Sequence, residues 1–334
     1  MLTPELDRLT ARAAIALANR APSVHNSQPW RWRIESSSIH LFADPRRALP
    51  ATDPEARGLR ISCGAALHHL RVALLAAGLG TTVHRLPDPA LPMYLAAVEM
   101  RSGRPSPDDL ALARAIENRR SDRRVYSSWP VPAQMVEVLV RAAADEGALM
   151  KVLDREPDRY AVVRLVEHAT VEQALTPDVA QETAEWTGRG RGAREGVPAA
   201  NVPAVPAGTV PVRPFAGGDQ PQSVLGRQET DGTVLAMIST SGDGALDQLI
   251  AGEALSAVLL AATRFGLASD PISQPLELPA TRRQLQAAVL GGSAAPQVLL
   301  RLGWAPISTI PVPLTGRRPL ADTIDPLEGA VGDV

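Results

Sequence analysis

The feature that most restricts how this chain folds is a repeat within it. Gly64 to Leu79, GAALHHLRVALLAAGL, lies over Gly252 to Leu267, GEALSAVLLAATRFGL, without a gap at an offset of 188 residues. Six of the sixteen positions are identical, including both glycine positions and the closing leucine. A second trace sets TPELDRLTARAA (Thr3 to Ala14) over PAQMVEVLVRAA (Pro132 to Ala143), apolar at helical spacing in both copies. Alanine-rich helices match by chance fairly often, so the loops between them carry the decision.

Those loops are lost in a complementary way. After RAA the first copy runs into APSVHNSQPW (residues 21–30), whereas the second passes directly to DEGALMKVLD. The second copy has PISQP (residues 271–275) after its GL, where the first has GTTVHRLPDP, and only the second is preceded by RRSDRRVY (residues 119–126). Arg119, Arg120, Ser121 and Arg123 offer guanidinium forks and a hydroxyl suited to a phosphate. The same run also reads as a solvated basic cluster complementing the end of the helical stretch PDDLALARAIEN. In the turn before Pro29, Asn26 and Gln28 suit a ring edge that alternates carbonyl and NH groups. They equally suit a local turn whose amides satisfy the backbone.

Taken together, RRSDR resembles the phosphate-binding start of nitroreductase-family flavoproteins, APSVHNSQPW their SPSxxNxQPW loop, and GLASDPISQP their GLxxxPIxG segment. An ordinary member carries these in the order RRS, APS, PI and pairs with a second copy; here APS comes first. The pattern is similar to the Acg-type branch, to which FADPRRALPATDPEARGLRISCGAAL adds, and it spans roughly residues 3 to 325. The resemblance implies an α+β, nitroreductase-like fold of two degenerate fused halves, each a mixed sheet packed by helices. The halves would be residues 1–104 and 105–334, the second carrying a lid loop at about 188–228 and a C-terminal arm. It implies one FMN site, with Ser23, Val24, Asn26 and Gln28 on one side and Pro271, Ile272, Ser273 and Gln274 facing the reactive flavin nitrogen. Arg119, Arg120, Ser121 and Arg123 would hold the phosphate, and Arg317 or Arg318 of the arm PVPLTGRRPLADTI would close on it. That pair also reads as a surface pair on a frayed tail. Where the family segment reads PIEG, Ser273 and Gln274 replace Glu and Gly and remove a negative charge beside the ring. No catalytic side chain is assigned, since protons can come from water.

Composition fits one unit. A chain of 334 residues ordinarily suggests about two domains, but two fused halves are expected to share one large interface. With 45% hydrophobic and only 3% aromatic residues, Leu, Val and Ala must fill the core. The net charge of −2 argues against a nucleic-acid surface. No apolar run reads as approaching the roughly 20 residues needed to span a bilayer, and MLTPELDRLTARAA reads as an amphipathic helix rather than a secretory signal. One cysteine rules out an intrachain disulfide. The expectation is a soluble, cytoplasmic monomer that mimics a dimer and takes a small-molecule substrate, with no nucleic-acid or membrane partner.

Periodicity predicts helices over 4–20, 62–78, 108–119, 132–146, 157–172, 177–187, 245–265 and 279–290. It predicts strands over 30–35, 38–43, 81–86, 92–100, 148–154, 232–239, 268–273 and 296–303. Between Thr187 and Gln228, glycine, proline and arginine crowd a stretch without period, which reads as a lid on the fold. Arg189, Arg191, Arg194 and Arg213 are its candidate anchors. Cys63 reads as a packed small side chain rather than an activated thiol. His68 and His69, about 100° apart on a helix, do not suit a metal, and none is assigned. Glu253, Asp243 and Asp247 read as surface charges. Two functions stay open: an FMN-dependent oxidoreductase passing hydride from NAD(P)H to a nitroaromatic or quinone, or an FMN-binding or FMN-sequestering protein whose lid blocks turnover. A pseudodimer that has lost flavin is the bland third.

Overall fold

Alternating and helical apolar patterns place the elements where the sequence predicts, with ends shifted by a few residues. A computed structural model describes residues 7–190, 192–204, 208–211, 213–215, 217–221, 232–306 and 310–325. Strands β1 (Trp30–Ile34), β2 (Ser38–Ala43), β3 (Leu79–Arg85) and β4 (Tyr94–Ser102) form one sheet in the order β1-β2-β4-β3. Strands β5 (Leu149–Val152), β6 (Val234–Thr240), β7 (Ala268–Ile272) and β8 (Ala295–Gly303) form a second in the equivalent order β5-β6-β8-β7. The helices are α1 (Arg8–Ala18), α2 (Arg57–Ala76), α3 (Pro107–Asn118), α4 (Ala133–Asp145), α5 (Glu156–Leu175), α6 (Pro177–Trp186), α7 (Ala245–Arg264), the unforeseen short α8 (Gln274–Glu277), and α9 (Pro279–Leu290).

The run α1-β1-β2-α2-β3-β4 therefore recurs as α4-β5-β6-α7-β7-β8. The differences are insertions. A tight connection joins β1 to β2, whereas α5, α6 and the Gly/Pro-rich loop separate β5 from β6; α8 and α9 likewise separate β7 from β8. The expected mixed sheets are corrected: every pairing of these strands is antiparallel. The crossover through α2 does leave β2 and β3 parallel, but β4 inserts between them, and β8 does the same between β6 and β7. Among the described residues, parallel contacts are isolated bridges: Trp32 with Ile324 and Ser121 with Ser269 at the sheets, Arg189 with Pro198 and Pro203 with Gln220 in the loop after α6.

The core lies where α2 and α7 cross. A Cβ placed on Gly64 would stand 2.0 Å from the Leu249 carbonyl oxygen, and one on Gly252 would stand 2.0 Å from that of Ile61. Ala65, Ala66, Ala251 and Ala254 around the crossing are fully buried. These contacts are reciprocal at the repeat offset: Arg60 Nη1 donates to Gln248 Oε1 at 2.9 Å, and His68 Nδ1 lies 2.7 Å from Ser256 Oγ. Residues meeting their own counterparts mark a two-fold interface.

Three expectations fail at this interface. Glu253 is fully buried rather than a surface charge, accepting from Arg71 Nη1 at 2.7 Å and Arg85 Nε at 2.6 Å, while Arg71 also binds Glu146. Helix α7, 20 residues long, is apolar enough by length and composition to cross a bilayer, contrary to the reading of the sequence; most of it is buried inside the protein. His68 and His69 converge after all, both Nδ1 atoms lying 2.7 Å from Ser256 Oγ on the facing helix. Among the described residues no group of acids, histidines and cysteine could hold a metal ion. Cys63 is buried, its thiol pushed far up by burial, as a packing residue.

Replacing Gly64 with alanine adds about 1 kcal/mol of helix propensity, but the clash is with backbone and overpacking costs about 1–3 kcal/mol or more. Gly64→Ala is expected to lower the urea midpoint, and an unchanged or raised midpoint would contradict the crossing. A second expectation concerns acid. Burial pushes His68 from 6.5 down to about 4, partly opposed by Glu146, and holds His69 well below 6.5. The unfolded chain thus binds more protons in that window, so stability falls as pH drops from 6.5 toward about 4. In His68→Gln the fall should be shallower; an identical pH dependence of the denaturant midpoint would count against it.

Candidate functional site

The turn after α1 is built to hold polar groups at fixed angles. His25, Asn26 and Gln28 have φ of 51°, 55° and 52°, a left-handed conformation that non-glycine residues rarely adopt. Such strain persists only where the surroundings over-determine it. Here Ser23 Oγ accepts the Gln28 N–H at 3.0 Å, and Asn26 Nδ2 donates to the carbonyls of Gly196 (3.1 Å) and Gly316 (3.2 Å). Gln28 Nε2 donates to the Arg194 carbonyl at 2.8 Å, and the Arg318 N–H donates to Gln28 Oε1 at 2.9 Å. One turn thus ties together the lid and the C-terminal arm.

Two joined compartments open beside it. The larger, a cavity of about 150 Å³, lies between the turn, the start of α2 and the end of β7, and Arg213 and Phe215 of the lid help wall it. The smaller, about 70 Å³, shares Pro22, Ser23, His25, Ser121 and Arg123 with it. Of the residues singled out from sequence, Val24, Pro271, Ile272, Ser273 and Gln274 line the larger compartment, Asn26, Arg119, Arg120 and Arg317 the smaller, and Ser23, Ser121 and Arg123 both. Gln28 and Arg318 line neither. Gln28 faces away as a strut between lid and arm, and Arg318 Nη2 turns to the Asp322 carbonyl.

The smaller compartment is basic, with Arg123 alone of its arginines near an acid among the described residues, Asp270 at 3.9 Å. Arg20, Arg119, Arg120, Arg123 and Arg317 line it, and among its described lining residues there is no carboxylate. Arg119 is 6% exposed, and its Nε and Nη1 have no partner among the described residues. Burial, with Arg120 and Arg20 close by, lowers its affinity for the proton to a pKa of about 10; burial and then Arg119 lower that of Arg317 to about 9. Arg317 is aimed by carbonyls at the end of α1, donating to Asn19 at 2.9 Å and Arg20 at 3.0 Å. Arg120 partly fulfils the bland reading, capping α3 at the Glu117 carbonyl. An unpaired buried guanidinium costs several kcal/mol, and a phosphate is the anion whose geometry fits its fork.

The larger compartment is apolar along Val24, Ile61, Leu255, Ile272, Leu276 and Val298. The charge lost from the PIEG position returns from Glu277, which accepts from Ser273 Oγ at 2.7 Å and pairs with Arg213 at 2.5 Å. His25 sits edge-on to Phe215; burial, then Arg213 and Arg123, hold its pKa well below 6.5. Of the lid candidates, Arg213 anchors to Glu277, Arg194 offers its carbonyl to Gln28, Arg189 joins a local bridge to Pro198, and Arg191 lies outside the described residues. The lid is also fixed by Glu195 to Arg47 at 2.5 Å. Arg20, Asp53, Arg57 and Glu277 were missed from sequence. Arg20 had a signal, being a cation at the end of a helix immediately before APS.

No protein-family model matches the chain. Two Mycobacterium tuberculosis H37Rv proteins that carry the NAD(P)H nitroreductase name do match. Rv3131 is 43% identical over 324 residues, covering 96% of this chain and 92% of the relative. The protein named acg is 36% identical over 322 residues, covering 92% of this chain and 93% of the relative. Among solved structures, the FMN-dependent nitroreductase NfnB of Mycobacterium smegmatis, in complex with NADPH, overlaps 64% of this chain and 96% of its own at 15% identity and a TM-score of 0.40.

The basic compartment predicts its own test. Arg119→Leu removes a buried cation that pairs with no acid among the described residues and whose Nη2 makes only a long hydrogen bond, 3.4 Å, to the Arg20 carbonyl, so the variant without ligand should be more stable than the parent by about 1–3 kcal/mol. Inorganic phosphate should then raise the thermal midpoint of the parent more than that of the variant. Equal shifts would mean that Arg119 does not face an anion.

Proposed function

The chain belongs to the NAD(P)H nitroreductase family, and from that premise we propose that it binds one FMN across the two compartments and passes hydride from NAD(P)H to a small nitroaromatic or quinone. The observation that carries this reading is a cluster of arginines, with the buried Arg119 paired to no acid among the described residues, opening into an apolar slot. A phosphate of about two negative charges is the counter-ion the arginines lack. Arg119 and Arg317 would grip it, with the Ser121 hydroxyl beside them. Val24, Ile61, Leu255 and Ile272 offer apolar surface to a flat ring, and Ser273 and Gln274 offer hydrogen-bonding groups to its polar edge. When bound, the flavin supplies the two-electron chemistry. The chain's part is to orient that ring and to exclude water with Arg213 and Phe215.

The turn at 22–28 comes from the first copy of the repeat, while Arg119 to Arg123 and Pro271 to Gln274 belong with the second. One chain then suffices for one site, with the two halves meeting near residues 104 and 105 as a pseudodimer. The ground for the second reading, a store that holds FMN without turnover, is that Arg213 and Phe215 of the loop between α6 and β6 line the larger compartment and would cover a ring bound there.

Anaerobic stopped-flow mixing separates the two. Rapid bleaching of bound FMN by NADPH or NADH is the expected result, and a yellow colour that persists with both would contradict the oxidoreductase.

A further inference from the structure

Of the stretch FADPRRALPATDPEARGLRISCGAAL the function just proposed uses only Ile61, yet Asp53, Arg57, Gly58 and Ser62 also wall the larger compartment. The chain reaches α2 through Ala56, held at φ 53°, where alanine is disfavoured. This turn folds Asp53 back over the helix start, so that Oδ1 accepts the Gly58 N–H at 3.0 Å and Oδ2 the Leu59 N–H at 2.8 Å. Two backbone donors fix the orientation of the carboxyl group. Each oxygen keeps a further lone pair, one of which can carry a proton.

We propose that Asp53 is the general acid of this site, giving its carboxyl proton to the acceptor as the acceptor takes a hydride. This rests on the reading of the cavity as an FMN-dependent reductase. Conversion of a quinone to a hydroquinone adds two electrons and two protons. Hydride brings both electrons and one proton, ultimately from NAD(P)H, so the second proton must come from an acid. The Asp53 O–H bond breaks, an O–H bond forms on the acceptor oxygen, and the bonding pair stays on the carboxylate. Water then restores the proton.

The other ionisable groups around the compartment are committed elsewhere. Glu277 pairs with Arg213 at 2.5 Å and accepts from Gln173 Nε2 at 2.6 Å. Glu55 pairs with Arg282 at 2.7 Å, which keeps its carboxyl below the usual range. Asp270 stands between Arg123 (3.9 Å) and Arg301 (3.7 Å). Burial pushes its pKa up, but the two guanidiniums flank it as counter-charges. Arg57 donates to Asp243 at 2.7 Å and to Gln297 at 2.8 Å, and burial, then Arg213 and Arg123, disfavour a charged His25. Burial raises the Asp53 carboxyl to about 6, against the pull of the Leu59, Gly58 and Arg57 amides, with the charge of Glu277 adding to the rise. A ring seated in the cavity would desolvate it further in the same direction.

The test is reoxidation of dithionite-reduced, FMN-loaded protein by 1,4-benzoquinone, followed by stopped flow from about pH 5 to about pH 8. In the parent the rate should fall as pH rises through the pKa of the acid. In Asp53→Asn it should be on the order of tenfold to hundredfold slower near pH 6 and flat across the range, while Asp53→Glu restores a pH-dependent limb. A parental rate and profile in Asp53→Asn overturns the proposal. If that variant does not fold, a flat profile in the parent overturns it equally. Failure to take up FMN at all would instead defeat the reading of the site, and the proposal with it.

Discussion

Two helices can approach as closely as α2 and α7 only where neither has a side chain at the contact. Gly64 and Gly252 meet that condition for each other, and a single Cβ on either would reach a backbone oxygen of the facing helix at 2.0 Å. The rest follows from this approach. Ile61 and Leu255, three residues to either side of the two glycines, end on the wall of the larger compartment. The start of α2 is thereby set opposite the end of β7, so the turn at 22–28 in the first copy comes to face Ser121 and Pro271 to Gln274 in the second.

The repeat also shows why the two sides are unequal. At the same offset Arg85 stands where Ser273 stands in the other copy. Arg85 is bound by Glu253, and Arg71 bridges Glu253 to Glu146 at the turn after α4, the place where the first copy inserts its APS turn. Charges that neutralise one another occupy that side, whereas Arg119 and Arg317 of the other side pair with no acid among the described residues. Buried charge is tolerable in the first case without a ligand and costly in the second.

Much of the fold was legible because periodicity is local: helices and strands fell within a few residues of where their apolar spacing put them. What was hidden depends on which element lies opposite. The sheets look mixed from chain order, since helices connect β2 to β3 and β6 to β7, and only the insertion of β4 and β8 makes every pairing antiparallel. Glu253 looked like a surface charge, but its counter-ions come from α2 and β3 of the other copy. The convergence of His68 and His69 required a hydroxyl on a facing helix. Motif chemistry picked out segments that line the two compartments, yet the division between Arg317, which reaches the basic compartment, and Arg318, which binds Gln28, is a matter of how the arm lies on the turn. Asp53 gave no signal of its own; its position depends on an alanine in a left-handed turn.

The central claim is that the crossing of two copies completes one flavin site within a single chain. Native mass spectrometry of the FMN-saturated protein tests it most directly. The account predicts one FMN retained by a single 35.4 kDa chain. Retention of FMN only by a two-chain assembly, or two FMN on one chain, would contradict it.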